Sequence, residues 1–272
     1  MGQTSRAGVY KDLLTDSLSE AVDEMIIATS QLTVIETLVE EIGSSDDVPN
    51  QIKLITTRDT LQKADSNFVV SSRLNQYFDE GILNIRTHPE DHPPAVFVTV
   101  NQITYVHPTS GGEGILMSTE DEEVVISVRE QYITRWKNGG QFQLSNPSYA
   151  RMLESIGQDL GGSMQESIQS VFESAGLSQR DGTQMDEVDV YLLMGALNEK
   201  QFYQVCSWGE DMGIASRAKF SNHKRALEDA GLVTTEKVAT DVGRPRQRLL
   251  LAKETLKNAS PQEVIQVAQS VV

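Results

Sequence analysis

The chain has 272 residues, 39% of them hydrophobic, and a formal net charge of −16 at pH 7. At roughly 150 residues per domain it has room for two domains, and no apolar run approaches the roughly 20 residues that cross a bilayer. The N-terminus lacks the apolar run of a signal peptide and has Arg6 where a myristoylation signal wants Ser or Thr. One cysteine, Cys206, excludes an internal disulfide and a cysteine-built zinc site, so a cytoplasmic protein is expected.

In chain order, a first helix is expected over Tyr10 to Val22, with Leu13, Leu14, Leu18 and Val22 at helical spacing. A short buried strand follows from Glu24, then a helix over Gln31 to Ile42 and a second strand from Ile52. Asp65 to Phe78 reads as helical and Ile82 to Arg86 as a third strand. Strand and helix alternating at this spacing predict an α/β domain, a largely parallel sheet flanked by helices. Ala95 to Val100 and Ile103 to His107 are two further strands joined tightly through Asn101 and Gln102. Gly114 to Met117 and Glu123 to Ser127 are candidate edge strands, and a helix is expected over Val128 to Lys137. This first domain, for sensing or dimerisation, spans residues 1–146.

A helical connector and linker is expected over residues 147–182. Its helices Tyr149 to Ile156 and Met164 to Phe172 are parted by Gly161 and Gly162, and Ser178 to Gln184 is polar. Residues 183–272 then read as a winged helix-turn-helix domain. Asp189 to Asn198 and Lys200 to Met212 are its scaffold helices. Ser216 is placed to cap a third helix, whose Phe220, Leu227 and aliphatic Lys224 stem face inward. Gly231 supplies a left-handed residue to end it. Leu232 to Val238 and Gln247 to Leu251 form a hairpin around a turn that holds Gly243, Arg244 and Pro245. Ser260, Pro261 and Glu263 then spell a capping box opening a last helix, with Val264, Val267, Ala268 and Val271 on one side.

Charge sets this region apart. From Gly213 to Lys253 there are nine basic residues against four acidic ones, a local +5 within an acidic chain. Phosphate is the simplest reason for such a segment. The third helix enters a major groove in this fold, and the hairpin lies over backbone or minor groove. Arg217, Ser221, Asn222 and Arg225 are the expected groove-facing residues. Lys219 and Lys224 hold phosphate, and Gly243, Arg244, Arg246 and Arg248 form the wing. The plain alternative is a basic surface that binds protein or nothing. Phosphate repels so acidic a chain at ordinary salt; near-molar salt screens that repulsion within a few ångströms, so a high-salt cytoplasm fits.

Catalytic constellations are missing from the sequence. Gly-x-Ser-x-Gly and the phosphate-binding P-loop are absent, and Cys206 sits in a scaffold helix as a core residue. His88 and His92 flank a loop in which Pro89 denies the helical spacing of paired zinc ligands, so a solvated loop is expected. No enzyme, cofactor or metal is expected. The carboxyl ends of the sheet strands carry Thr29, Ser30, Thr57, Arg58 and His88, where open sheets bind ligands. Two of those ends open helices whose free N–H groups favour an anion, so a small phosphorylated or carboxylated metabolite is a candidate effector. The rival reading makes Thr29 and Thr57 helix caps and pairs Arg58 with Asp59.

The run Phe220 to Val233 with Gly243 to Arg248 looks like the winged helix of many archaeal and bacterial regulators. Over nearly its whole length the chain resembles the TbsP-type regulators of halophilic archaea. The strand ends at Ile27 to Gln31 and Ile55 to Asp59 are similar to the effector domain of TrmB-type sugar regulators, itself like phospholipase D. The His-x-Lys-x-x-x-x-Asp motif of active phospholipase D enzymes is absent, and TrmB puts its DNA-binding domain first. The resemblance implies a transcription regulator of central carbon metabolism that binds double-stranded DNA as a homodimer. Two rivals differ in class: an adaptor acting through another regulator without DNA specificity of its own, and an enzyme whose winged helix only contacts proteins.

Overall fold

The computed structural model describes residues 6–20, 23–45, 48–89, 95–108, 114–174, 185–238 and 246–271. These divide into two compact units, residues 1–148 and 149–272.

The first unit runs α1 (Arg6–Glu20), β1 (Glu24–Ala28), α2 (Leu32–Ser44), β2 (Gln51–Thr56), α3 (Arg58–Ser66), α4 (Phe68–Asp79) and β3 (Leu83–Thr87). It continues with β4 (Ala95–Val98), β5 (Ile103–Pro108), β6 (Gly114–Thr119) and α5 (Glu122–Asn138). The six strands form one sheet in the order β3-β2-β1-β4-β5-β6. The β1, β2 and β3 pairings are parallel, as the strand–helix alternation predicts, because each crossover carries helix. From β1 outward the sheet continues as an antiparallel meander. Its β4–β5 turn is closed by Thr99 N–H donating to Gln102 O at 2.9 Å.

Strand pleat divides the core. Ile26, Ala28, Ile55, Val96, Val98 and Ile103 meet Val125 and Tyr132 of α5 on one face. Ile27, Leu54, Ile85 and Phe97 are register neighbours on the other face, and all four are buried. Arg129 of α5 reaches Glu24 of β1 at 2.6 Å, and Glu24 also takes Lys53 of β2.

Two expectations change here. Glu123 to Ser127 is not an edge strand but the start of α5: the Asp121 side chain accepts from Val124 N–H at 3.1 Å, and Glu122 and Glu123 sit at the positive helix end. A run of β-branched residues imitates a strand there until the cap is considered. The single helix expected over Asp65 to Phe78 is two, because Asn67 leaves helical geometry and its side chain accepts from Val69 N–H and Val70 N–H.

The second unit contains α6 (Tyr149–Asp159), α7 (Gly162–Ser174), α8 (Glu187–Leu197), α9 (Phe202–Asp211), α10 (Arg217–Asp229), β7 (Val233–Val238), β8 (Arg246–Leu251) and α11 (Pro261–Gln269). The sequence places α6 and α7 in a connector; they pack into this unit. Tyr149, Phe172, Tyr191 and Trp208 form an edge-to-face aromatic chain with centroid spacings of 6.3, 6.2 and 4.9 Å. Tyr191 OH donates to Met152 Sδ, and Trp208 Nε1 to Ser155 Oγ at 3.1 Å. The capping box of α11 forms as its sequence spells it, and Val264 and Ala268 are buried within the unit.

Candidate nucleic-acid interface

α8, α9 and α10 make a helix-turn-helix with a scaffold helix before it. The α9–α10 turn depends on Gly213 at φ 76°, which lets Ile214 N–H reach Gly209 O at 2.8 Å. The next helix is capped as expected, with Ser216 Oγ accepting from Lys219 N–H at 3.3 Å. It closes at Gly231, φ 67°, with Leu232 N–H on Leu227 O. Phe220 and Leu227 are fully buried. Close approach of the two helices rests on Gly209, where a Cβ would lie 2.4 Å from the Phe220 ring.

β7 and β8 pair antiparallel from Val233 with Leu251 to Val238 with Arg246. A bridge from Gln201 to Arg248, with Leu249 N–H on Lys200 O at 2.9 Å, ties the hairpin to the segment between α8 and α9. The expected second scaffold helix therefore starts at Phe202 and not at Lys200, since Lys200 and Gln201 take part in this strand-like contact.

The groove-facing candidates fall into distinct environments. Asn222 and Arg225 are exposed on α10, and Arg225 makes no ion pair among the described residues. Ser221 Oγ donates to Arg217 O at 2.8 Å, so its hydroxyl is half committed to its own helix. Arg217 is exposed but pairs with Glu210 at 2.6 Å, and that carboxylate raises its pKa. Lys219 turns towards α8 and pairs with Asp186 at 2.9 Å and Glu187 at 3.6 Å. Lys224 is held by Glu228 at 3.0 Å and lies over the Phe202 ring.

On the wing, Arg248 is shared between Glu236 at 3.2 Å and Glu199 at 3.8 Å, while Arg246 reaches Gln201 at 3.4 Å. Gly243, Arg244 and Pro245 lie outside the described residues.

Two features were not singled out from sequence. Tyr203 of α9, half exposed, has the Arg217 guanidinium 5.6 Å and the Arg246 guanidinium 4.7 Å from its ring centre, so it joins α10 to the wing. Its spacing on α9 was the only signal, and the partners come from distant segments. The second is His223, whose Nδ1 lies 2.8 Å from Asp189 Oδ1. Asp189 is buried near the start of α8. Burial raises its pKa, and the His223 hydrogen bond offsets this in part.

A helix-turn-helix with an exposed polar face and a basic hairpin is the geometry expected of a DNA reader, and comparison with protein families agrees. Residues 4–147 match the model described as "Transcriptional regulator TbsP-like, N-terminal". Residues 148–269 match "Transcriptional regulator TbsP-like, C-terminal HTH domain". The chain belongs to the TbsP-like transcriptional regulators. DNA binding through the helix-turn-helix follows for this TbsP-like chain at the level of the family. No protein with a curated description matches it. Among solved structures, NucT from Helicobacter pylori is similar at 10% identity and a TM-score of 0.35, over 50% of this chain and 93% of that one. That likeness is too loose to bear on fold or function.

In the first unit, a cavity of about 440 Å³ lies beyond the carboxyl ends of β2 and β3. It is lined by Thr57, Arg58, Asp59, Thr87, His88, Pro89 and Gly140, so three of the five effector candidates, Thr57, Arg58 and His88, come together. Thr57 caps α3 and accepts from Thr60 N–H at 3.2 Å, and the Arg58 guanidinium lies 5.7 Å from the Phe142 ring centre. Thr29 and Ser30 do not line the cavity. Thr29 Oγ1 accepts from Gln31 N–H at 3.0 Å, and Ser30 O accepts from Thr60 Oγ1 at 2.9 Å. Among the described residues there is no group of three or more His, Cys, Asp or Glu that could hold a metal. No described helix is long and apolar enough to cross a membrane.

Proposed function

We propose that this TbsP-like regulator reads a specific DNA operator with α10 and holds the flanking phosphates with its wing. Asn222 and Arg225 read base edges, with Arg217 and Ser221 beside them. Arg246, Arg248 and the tip residues Gly243 and Arg244 follow the backbone or minor groove. The observation that carries this reading is the contrast on α10. Most of its cations are already neutralised by carboxylates of the same unit, whereas Asn222 and Arg225 stand exposed and Arg225 has no counter-ion among the described residues. A guanidinium left in this state at the outer face of the third helix is matched to guanine O6 and N7.

Lys219 and Lys224 hold phosphate in this reading, although both ammonium groups rest on carboxylates of the same unit. The Lys219 ammonium ties α10 to the start of α8, that of Lys224 is held by Glu228 within α10, and each reaches phosphate by leaving its carboxylate. The protein acts as a homodimer in a high-salt cytoplasm and regulates central carbon metabolism. The cavity at Thr57, Arg58 and His88 takes a small anionic metabolite that biases DNA affinity. The arginine and the α3 N-terminus favour an anion, and Asp59 selects one that also carries hydroxyls, as a sugar phosphate does.

The test is selection from a randomised duplex pool by the purified full-length chain. A single enriched motif is expected, and Arg225→Ala should flatten its information at one or two positions. Uniform retention of all sequences would remove the operator reading and favour an adaptor that acts through another regulator.

A further inference from the structure

The open edge of the first unit's sheet is chemically unlike the rest of this acidic chain. β6 pairs with β5 on one side only, and it is the last strand in the sheet order. Its residues Gly114–Thr119 carry no charge, although Glu113 precedes them and Glu120, Asp121, Glu122 and Glu123 follow. Ile115, Leu116 and Met117 are 52, 50 and 57% exposed in succession, so apolar surface stands on both faces of one strand. Val124 and Ile126, in the first turns of α5 that follow the strand, are exposed as well. Monomeric proteins blunt such edges with charges, prolines or bulges, because unpaired strand amides template further pairing. No such device stands within β6.

We infer that β6 pairs antiparallel with β6 of a second copy, joining two six-stranded sheets into one of twelve across a two-fold axis. This deepens the homodimer reading above and rests on it. Two-fold pairing of a strand with itself gives an isologous contact. An axis normal to the sheet keeps faces matched, so each residue opposes one of its own parity and a single residue meets its own counterpart. Centring on Leu116 places Leu116 against the partner's Leu116, and Ile115 against the partner's Met117 twice over. All three exposed apolar residues are then matched with apolar residues, and Glu120 to Glu123 fall beyond the end of the paired segment. Centring on Met117 sets Leu116 and Ile115 against Ser118 and Thr119 and brings Gly114 opposite Glu120, which wastes the apolar match.

Charge points to the same occupant. Two copies of a chain at −16 repel over most of their surfaces, and β6 is an uncharged strip on which they can meet. The strand and the α5 residues provide the apolar centre of an interface, whose standard size is about 800 Å² per partner.

The full-length protein in the absence of DNA provides the test. Sedimentation equilibrium at micromolar concentration should give twice the 30.1 kDa chain mass, and Leu116→Lys should return it to one chain with an unchanged circular dichroism spectrum. Independently, Leu116→Cys should be captured as a covalent dimer by a short bismaleimide, since opposed Cβ atoms lie about 4.5–5.5 Å apart. Val100→Cys, as exposed but on the β4–β5 turn, should not. Cys206 stays silent because it is buried. A wild-type monomer, a Leu116→Lys dimer, or equal cross-linking at positions 100 and 116 would each overturn the inference. Failure of the regulator reading looks different: dimers form and cross-link at position 116 but retain no preferred DNA sequence.

Discussion

Replacing Gly209 with alanine puts a methyl group where the Phe220 ring already sits. The added Cβ would lie 2.4 Å from both Cε2 and Cζ of Phe220, against ordinary carbon contacts of about 3.5–4.0 Å. The ring has no room to retreat, since Phe220 is fully buried. The strain must therefore be relieved by moving α10 away from α9, or by an off-rotamer ring. Overpacking of this kind costs about 1–3 kcal/mol. For a unit of this size each kcal/mol shifts the midpoint by about 4 °C, so the Tm of the second unit should fall by about 4–12 °C. Because the α9–α10 crossing presents Arg225 and Asn222, affinity for DNA should fall at temperatures where the domain remains folded. Differential scanning calorimetry and fluorescence anisotropy read the two effects. Gly209→Ala combined with Phe220→Leu should recover part of both, because the shorter side chain frees the space. A variant with unchanged Tm and unchanged DNA affinity would refute the claim that contact at Gly209 sets the helix crossing.

Other expectations follow from particular contacts. Arg225→Ala should lose about 1–3 kcal/mol of discrimination between operator and random DNA; an unchanged ratio of specific to nonspecific affinity would leave it a phosphate contact. Arg246→Ala should instead weaken all sequences alike and reduce the salt slope of binding by about 1, with unaltered salt dependence removing β8 from the DNA surface. Cys206 is buried, and burial pushes its thiol up to about 12, so iodoacetamide at pH 8 should label it only after unfolding; rapid labelling of the native protein would contradict the packing of α9. Asp189 has a raised pKa in the folded state, so the folded unit holds that proton more tightly than the unfolded chain does. Its contribution to stability is full below the unfolded value near 3.8 and is lost as pH rises through the folded value. Denaturant titrations should therefore show wild type losing stability relative to Asp189→Asn as pH rises over that window, and parallel pH profiles would exclude the effect.

Much of the second unit was legible because its signals are local. Ser216, Gly231 and the Ser260 capping box each act within one turn of chain, and the spacing of Phe220 and Leu227 names the buried face of α10 directly. The Gln201–Arg248 bridge and the Tyr203 stack were not, because they join residues more than ten positions apart that carry no periodic mark. In the first unit, strand–helix alternation announces β1, β2 and β3. Glu123 to Ser127 misleads because β-branched side chains favour strands until a cap and a helix dipole outweigh them. Lys219 and Lys224 show the limit of reading charge from sequence: both add to a basic count, yet both are neutralised by acids of the same unit, Glu228 only four positions along and Asp186 and Glu187 at the start of α8. Thr57, Arg58 and His88 converge because adjacent parallel strands end side by side, whereas Thr29 caps its own turn and the Ser30 carbonyl takes Thr60 of α3.

The most direct test of the regulator reading is genome-wide DNA occupancy by immunoprecipitation in the native host at its own internal salt. Wild type should be compared with a chain carrying Arg217→Ala and Arg225→Ala. Sharp peaks at promoters that share one motif, and vanish in the double variant, are the expected result. Peaks that persist unchanged in the variant, or no enrichment with wild type, would contradict the claim that α10 reads the operator.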